Sequence, residues 1–370
     1  MACDIPVAAV SLSLAAASLQ DSQTQQDVDP FVEIKEAAEG GDGGAQRLLV
    51  ILSALRETIL ECRTTSPAAG ATSEPSATEY LAAIIPAIQG QDQSHTPQLL
   101  ALLAAVMPCA HRSLLRLKFP SIAAVLMGFI QEGGLDAEDS DTAAASSSAN
   151  VLQRVLRCTG YLLAAQESSS AVWSNPGVLR AFLSLLHFFA DRRSKVRRAA
   201  HESVVEILRA QRPHSTTASD GGGGDDSGSK KTSSKGPAAQ TTEFCRAVVT
   251  SCTSQDVIRA LHLLQFMRLA VPLFAPKQAS VLCELTLRLL PLGSPPLTAA
   301  VMQTLSAVVQ SPVPCLTAPF LANLTEELLS LQPSRSAGAG AVSFAPLLAS
   351  CVVRLQVSRC SSSSSVRVAE

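Results

Sequence analysis

The side chains best placed to do chemistry in this chain gather in one basic run: Arg192, Arg193, Lys195, Arg197 and Arg198. Cations this dense suit phosphate contact, because guanidinium and ammonium groups neutralise a polyanion without reading its sequence. They also suit a nuclear import signal, to which Lys230, Lys231 and Lys235 would add. Other reactive residue types are not spaced for catalysis. The six histidines, His95, His111, His187, His201, His214 and His262, include no pair at the i, i+4 spacing of a helical zinc motif. Cys245 and Cys252 are too far apart for a CxxC pair, and no His stands beside them at ligand spacing. The glycine-rich GGGGDD at Gly221 to Asp226 lacks the Lys and Ser/Thr of a phosphate-binding loop and reads as a tether. Glu326 and Glu327 fall on the solvent side of an amphipathic pattern. No nucleophile, cofactor or metal site is expected, and no small-molecule substrate.

The basic run must be positioned by its flanks, which read as two helices joined by a tight turn: NPGVLRAFLSLLHFFA, then DRRSKVRRAAHESVVEILR. Asn175 can cap the first helix, and Pro176 sits at the first helical position, where its missing N–H costs nothing. Leu179, Phe182, Leu183, Leu186 and Phe189 recur at helical spacing, and Val178 and Leu185 widen the stripe until the helix reads as buried on both sides. Asp191 ends it. Val196, Ala200, Val204, Ile207 and Leu208 form a narrower stripe flanked by Arg197, Arg198, Glu202 and Glu206, so the second helix reads as exposed on one side. Such a hairpin cannot bury its own apolar face and needs neighbours stacked against it, as in HEAT and armadillo repeats. That adds a third reading of the basic run, a ladder in which its cations pair with acids of the following hairpin. Trp173, the only tryptophan, precedes Pro176 in the joint and reads as a plug between two repeats.

Composition agrees with stacked helices. Hydrophobic residues make up 47% of the 370 positions but aromatics only 4%, so the apolar content is largely Ala, Leu and Val. No run of period two announces strands. A formal net charge of −2 gives no global attraction to nucleic acid or anionic lipid, so any such contact is local. The ten cysteines are scattered singly and read as free thiols in a reducing compartment. The N-terminal MACDIPVAAVSLSLAAASLQ lacks the basic start of a signal peptide and carries Asp4, and no window offers the roughly 18 apolar residues of a membrane span. The chain is expected to be soluble and intracellular, without a membrane partner.

Along the chain, residues 1–45 read as a mostly disordered extension able to hold one short helix, 46–210 as helical repeats, 211–240 as a disordered Gly/Ser/Lys insertion, 241–357 as continuing repeats and 358–370 as a disordered tail. Helices are expected at 46–63, 77–89, 96–107, 120–130 and 151–165, the last capped by Asn150. Beyond the insertion they are expected at 241–251, 256–270, 276–290, 295–310, 317–331 and 342–357. Pro272, Pro291, Pro312 and Pro314 stand where helices should end. The spacing approaches the roughly 40 to 47 residues of HEAT or armadillo units. The fold expected is an all-α, right-handed solenoid of helical hairpins, and the chain reads as the N-terminal piece of a longer one.

VLQRVLRCTGYLLAAQESSSAVWSNPGVLRAFLSLLHFFADRRSKVRRAAHESVVEILRA, TTEFCRAVV and ALHLLQFMRLAVPLFAPKQASVLCELTLRLL together resemble the N-terminal region of the ribosomal RNA processing protein 12 family. The likeness includes Trp173-x-x-Pro176, KVRRAA at Lys195 to Ala200, an insertion followed by Thr242, Phe244 and Cys245, and YLAAIIPAIQ at Tyr80 to Gln89. It covers about residues 77–332, carried by the order of the segments rather than by any one motif. The resemblance implies a nuclear and nucleolar HEAT/armadillo scaffold without a catalytic step. Its implied partners are pre-ribosomal particle proteins, ribosomal RNA and nuclear transport factors, in ribosomal RNA processing and subunit assembly or export. The competing class is an importin or armadillo type adaptor that binds protein without RNA.

Overall fold

A computed structural model describes residues 29–64, 74–90, 93–135, 143–212, 236–311, 316–330 and 344–356. Lys230, Lys231, Lys235, Gly221 to Asp226, His214, Pro312, Pro314 and both termini lie outside the described residues, as does most of the insertion. Every regular element among the described residues is helical, and the fold is all-α. The chain divides into two compact units between Cys158 and Thr159.

The first unit holds α1 (Val32–Glu39), α2 (Gly43–Thr64), α3 (Ala77–Gln89), α4 (Thr96–Val106), α5 (Arg112–Leu117), α6 (Phe119–Leu135) and the first part of α7 (Ala143–Ala164). α1 lies on α2, α2 and α3 both pack on α4, and α6 packs on α3 and α5. Phe31 meets Tyr80 edge-on at 4.9 Å, and Ile84, Leu100, Leu102, Leu103 and Leu126 are fully buried. α3 starts at a capping box: Ser76 accepts from the Glu79 N–H while the Glu79 carboxylate accepts from the Ser76 N–H.

The second unit continues through α8 (Ser170–Trp173), α9 (Pro176–His187), α10 (Ser194–Ala210), α11 (Pro237–Ser251), α12 (Val257–Ala270), α13 (Pro276–Leu287), α14 (Pro295–Val309), α15 (Ala318–Ser330) and a last helix, α16, at 344–356. Its helices form two layers: α9, α11 and α13 pack in sequence in one, α10, α12 and α14 in the other. Successive hairpins open at Pro237, Pro276 and Ala318, a step of 39 and then 42 residues, the HEAT scale. A proline in the first turn opens α4, α9, α11, α13 and α14, because that position has no intrahelical partner for an N–H. Pro272 and Pro291 fall in 3-10 turns after α12 and α13.

Several local expectations are corrected. α7 begins at Ala143, so Asn150 lies inside the helix and caps nothing at its start; the AAASSSAN stretch contains no breaker, and alanine propagates helix upstream. α5 and α8 fall in stretches with no predicted helix, being too short to show a period. On α9, Leu183 is 43% exposed and Ala181 is buried. The buried stripe is Val178, Ala181, Phe182, Leu185 and Leu186, rotated from the one read in the sequence. On α10, Ala199, His201, Ser203 and Val205 are buried as well, so the packed face is wider than its apolar letters suggest.

Candidate functional site

The basic run sits where α9 turns into α10. After His187 the chain tightens into a 3-10 turn, Phe188–Ala190, and leaves through extended backbone at Asp191. The Asp191 carboxylate organises the entry to α10: Oδ1 accepts from the Arg193 backbone N–H at 2.8 Å and from Arg193 Nε at 3.0 Å, and Oδ2 accepts from Arg193 Nη2 at 2.9 Å. An Asx turn and a bidentate ion pair thus share one residue. Arg197 adds a bond from Nη1 to the Asp191 carbonyl at 2.8 Å. Bonding to Asp191 raises the Arg193 pKa above its ordinary value.

The five cations therefore divide into two sets. Arg193 and Arg197 are half-buried and turned back onto Asp191, where they hold the turn. Arg192, Lys195 and Arg198 are exposed. Neither Arg192 nor Arg198 pairs with a carboxylate among the described residues. The next acids along α10 are Glu202, one turn beyond Arg198, and Glu206, which pairs with Arg209 at 2.7 Å. α10 starts without a capping side chain and without an acid in its first turn. The face turned to solvent is basic.

Beneath it lies an aromatic cluster. His201 is buried; its Nε2–H donates to the Phe189 carbonyl at 3.0 Å, and its ring stands 4.5 Å from Phe189 and 5.5 Å from Phe266. Phe189 also meets Phe244 and Phe266 edge-on at 5.3 Å and 4.9 Å. Burial pushes the His201 pKa down to about 4 against the pull of the carbonyl, so the ring is neutral near pH 7. His262 on α12 is shifted down too, by burial and by the Arg197 charge. Among the described residues no carboxylate pairs with either ring to orient it as a base; His201 belongs to the core and His262 is half-buried.

Trp173 is 1% exposed, donates from Nε1 to the Glu167 carbonyl at 3.0 Å and lies edge-on to Phe182 at 5.5 Å. Pro176 is exposed as the first residue of α9, and Asn175 Oδ1 accepts from the Gly177 N–H at 2.8 Å. Against α10, Gly160 of α7 comes so close to Ser203 that a Cβ there would stand 2.6 Å from the Ser203 Cβ. Sequence reasoning missed the inward turn of Arg193 and Arg197, although Asp191 two residues before an Arg was the available signal for an Asx turn.

A cavity of about 210 Å³ lies between the end of α10 and the start of α11, lined by Leu208, Gln211, Arg212, Gly236, Phe274 and Gln278 among others. Arg212 is its single charged wall, so it brings together no acid–base pair. Among the described residues no group of His, Cys, Asp or Glu could hold a metal ion, and no helix is long and apolar enough to cross a membrane.

A family model described as "RRP12-like, N-terminal HEAT repeats" matches residues 69–314, a span that includes both layers and the basic turn. The chain is 26% identical over 262 residues to an RRP12-like protein of chicken, covering 70% of this chain and 18% of the relative. It is 24% identical over 300 residues to an RRP12-like protein of human, covering 80% and 20% respectively. The chain thus spans about a fifth of the length of these relatives.

Proposed function

Because the chain belongs to the RRP12-like family of N-terminal HEAT repeats, we propose that it is a non-catalytic scaffold of ribosome biogenesis, acting in the nucleus and nucleolus. It associates with pre-ribosomal particles during ribosomal RNA processing and subunit assembly or export, and contacts RNA phosphate through the basic turn at the head of α10. The observation that carries the RNA contact is the outward set, Arg192, Lys195 and Arg198, held on a turn whose own carboxylate is already engaged by Arg193. Cations fixed on a folded element meet a phosphate backbone with less ordering cost than a flexible tail would. Three such contacts are weak singly, so retention on a particle depends on further contacts made elsewhere along the repeats.

The same geometry weighs against the import-signal reading of this run. A linear signal needs its basic side chains available together, whereas Arg193 and Arg197 are committed to Asp191 within a turn and helix. The paired set is an intrahairpin brace, and the outward set is the contact.

Sucrose-gradient sedimentation of the tagged chain from nuclear extract, with and without RNase, tests the proposal when fractions are probed for precursor ribosomal RNA. Co-migration with pre-ribosomal particles that RNase abolishes is the expected result. Free migration near the monomer would favour a transport adaptor that binds protein alone. A chain that stays on particles after Arg192→Glu and Arg198→Glu would leave the scaffold standing and remove the basic turn from it.

A further inference from the structure

We propose that Ser194 is a phosphoryl acceptor and that its phosphorylation switches off the basic turn, an inference about regulation that rests on the phosphate-contact reading above. Ser194 lies between outward cations, with Arg192 before it and Lys195 and Arg198 after it, all three exposed. Serine kinases with an acidic substrate groove select basic residues on both sides of the acceptor, so this charge pattern is the one such a groove attracts.

The structure presents the acceptor openly. Ser194 is the first residue of α10 and exposed, and its hydroxyl makes no hydrogen bond among the described residues. Two other exposed serines, by contrast, have their hydroxyls engaged: Ser113, which follows Arg112, holds His111 Nδ1 at 2.6 Å, and Ser174 donates to the Ser170 carbonyl at 2.7 Å. The buried stripe of α10 starts only at Val196, and no side chain caps the helix ahead of Ser194. Opening the first turn to enter a kinase therefore breaks the Asp191 bonds to Arg193 and Arg197 but uncovers only Val196 of the buried stripe.

The reaction balances without any further reagent. A protein kinase transfers the γ-phosphoryl group of ATP to Ser194 Oγ; the new O–P bond replaces the bond to the β-phosphate, the hydroxyl proton passes to the enzyme's base and ADP leaves. The product adds nearly two negative charges at the positive end of the α10 dipole, in a first turn that has no acid of its own. Positions three and four residues further along share its face, so the phosphate falls beside Arg197 and Arg198 and between Arg192 and Lys195. It strengthens the start of the helix while cancelling the outward charge. That pairing of effects separates a switch from damage.

The test uses the full chain. It is incubated with Mg-ATP and a purified basophilic serine kinase, and also purified from cells in the presence of phosphatase inhibitors, and phosphosites are mapped by mass spectrometry. Binding of fluorescent 20-nucleotide polyuridine is then measured for the unmodified, phosphorylated, Ser194→Ala and Ser194→Asp proteins. Expected results are phosphate on Ser194 in both preparations, no loss of helical circular dichroism, and binding weakened about tenfold at near-physiological salt, with a salt slope reduced by about one. Phosphate found on other serines but not on Ser194 overturns the inference, as does a phosphorylated protein that binds as tightly as the unmodified one. Failure of the unmodified chain to bind polyuridine defeats the functional reading instead, because the acceptor is read by mass alone.

Discussion

At the head of α10, Arg192 in the preceding turn and Arg198 on the helix stand in solvent, while His201 and Ser203, less than two turns beyond Arg198, are packed against Phe189, Phe266 and Gly160. The inner group has almost no freedom: a backbone carbonyl, two aromatic rings and a glycine fix its volume and its polarity. Arg192 and Arg198 make no ion pair among the described residues and can be changed without opening the core. A single helix thus carries a packed segment beside an exposed basic one. Asp191 separates them by tying down the two cations that would otherwise belong to neither. Substitutions in the two segments should therefore differ in kind as well as in size.

The largest effect is expected from Trp173→Ala. The indole is fully buried against Phe182, and its N–H is bonded to Glu167. Truncation leaves a cavity and removes the bond to the Glu167 carbonyl, a loss of about 3–5 kcal/mol by urea unfolding. A loss under about 1 kcal/mol would mean that the joint before α9 is not part of the packed interior.

Gly160→Ala comes next. The new methyl would stand 2.6 Å from the Ser203 Cβ and 3.1 Å from its Cα, so α7 and α10 must move apart, at a cost of about 2–3 kcal/mol. Ser203→Gly in the same chain should return much of that loss, since it removes the Cβ and Oγ that the methyl meets most closely. Additive losses in this double-mutant cycle would show that the close approach is not what requires glycine.

His201 makes the inner segment sensitive to acid. Its folded pKa of about 4 lies below the ordinary value of 6.5, so the unfolded chain binds the proton more readily. Stability from the neutral ring is complete above about pH 6.5 and is lost as pH falls toward 4. Between pH 7 and pH 5 the loss should be about 2 kcal/mol, with Arg197 and His262 the charged and titratable neighbours that add to it. Replacing the ring by His201→Gln should flatten this part of the pH profile. An unchanged slope would show that protonation is accommodated by local opening.

Much of this contrast was legible in the sequence, for identifiable reasons. Asn175 followed by Pro176 marks a helix start that depends on two adjacent residues, and it falls where the letters put it. Pro276 and Pro295 mark starts in the same way. The buried face of α9 was less legible because Leu179 and Leu183 extend an apolar pattern around the helix, and only the neighbouring helices decide which leucine is left at 43% exposure. The cations of the turn carry the same charge in the sequence whichever way they point. Their division into a brace and a surface depends on the one carboxylate of Asp191 and on where the 3-10 turn leaves it. Gly160 gave no warning at all, since a mid-helix glycine reads as a mere weak point until the opposing Ser203 is in place.

The smallest effect on stability, and the sharpest test of the comparison, is expected from the pair Arg192→Glu and Arg198→Glu. Glutamate at 192 lies beside the positive end of the α10 dipole and gains a few tenths of a kcal/mol. Glutamate at 198 faces Glu202 one turn on and loses a similar amount. The two offset one another, so the urea midpoint should move by less than about 0.5 kcal/mol while polyuridine binding falls more than tenfold. A clear loss of stability would tie these arginines to the fold and dissolve the boundary between the two segments. Unchanged stability with unchanged binding would keep the boundary and leave the outer segment without the contact assigned to it. Only the combination of a stable fold and lost binding requires that the head of α10 serve a partner rather than its own hairpin.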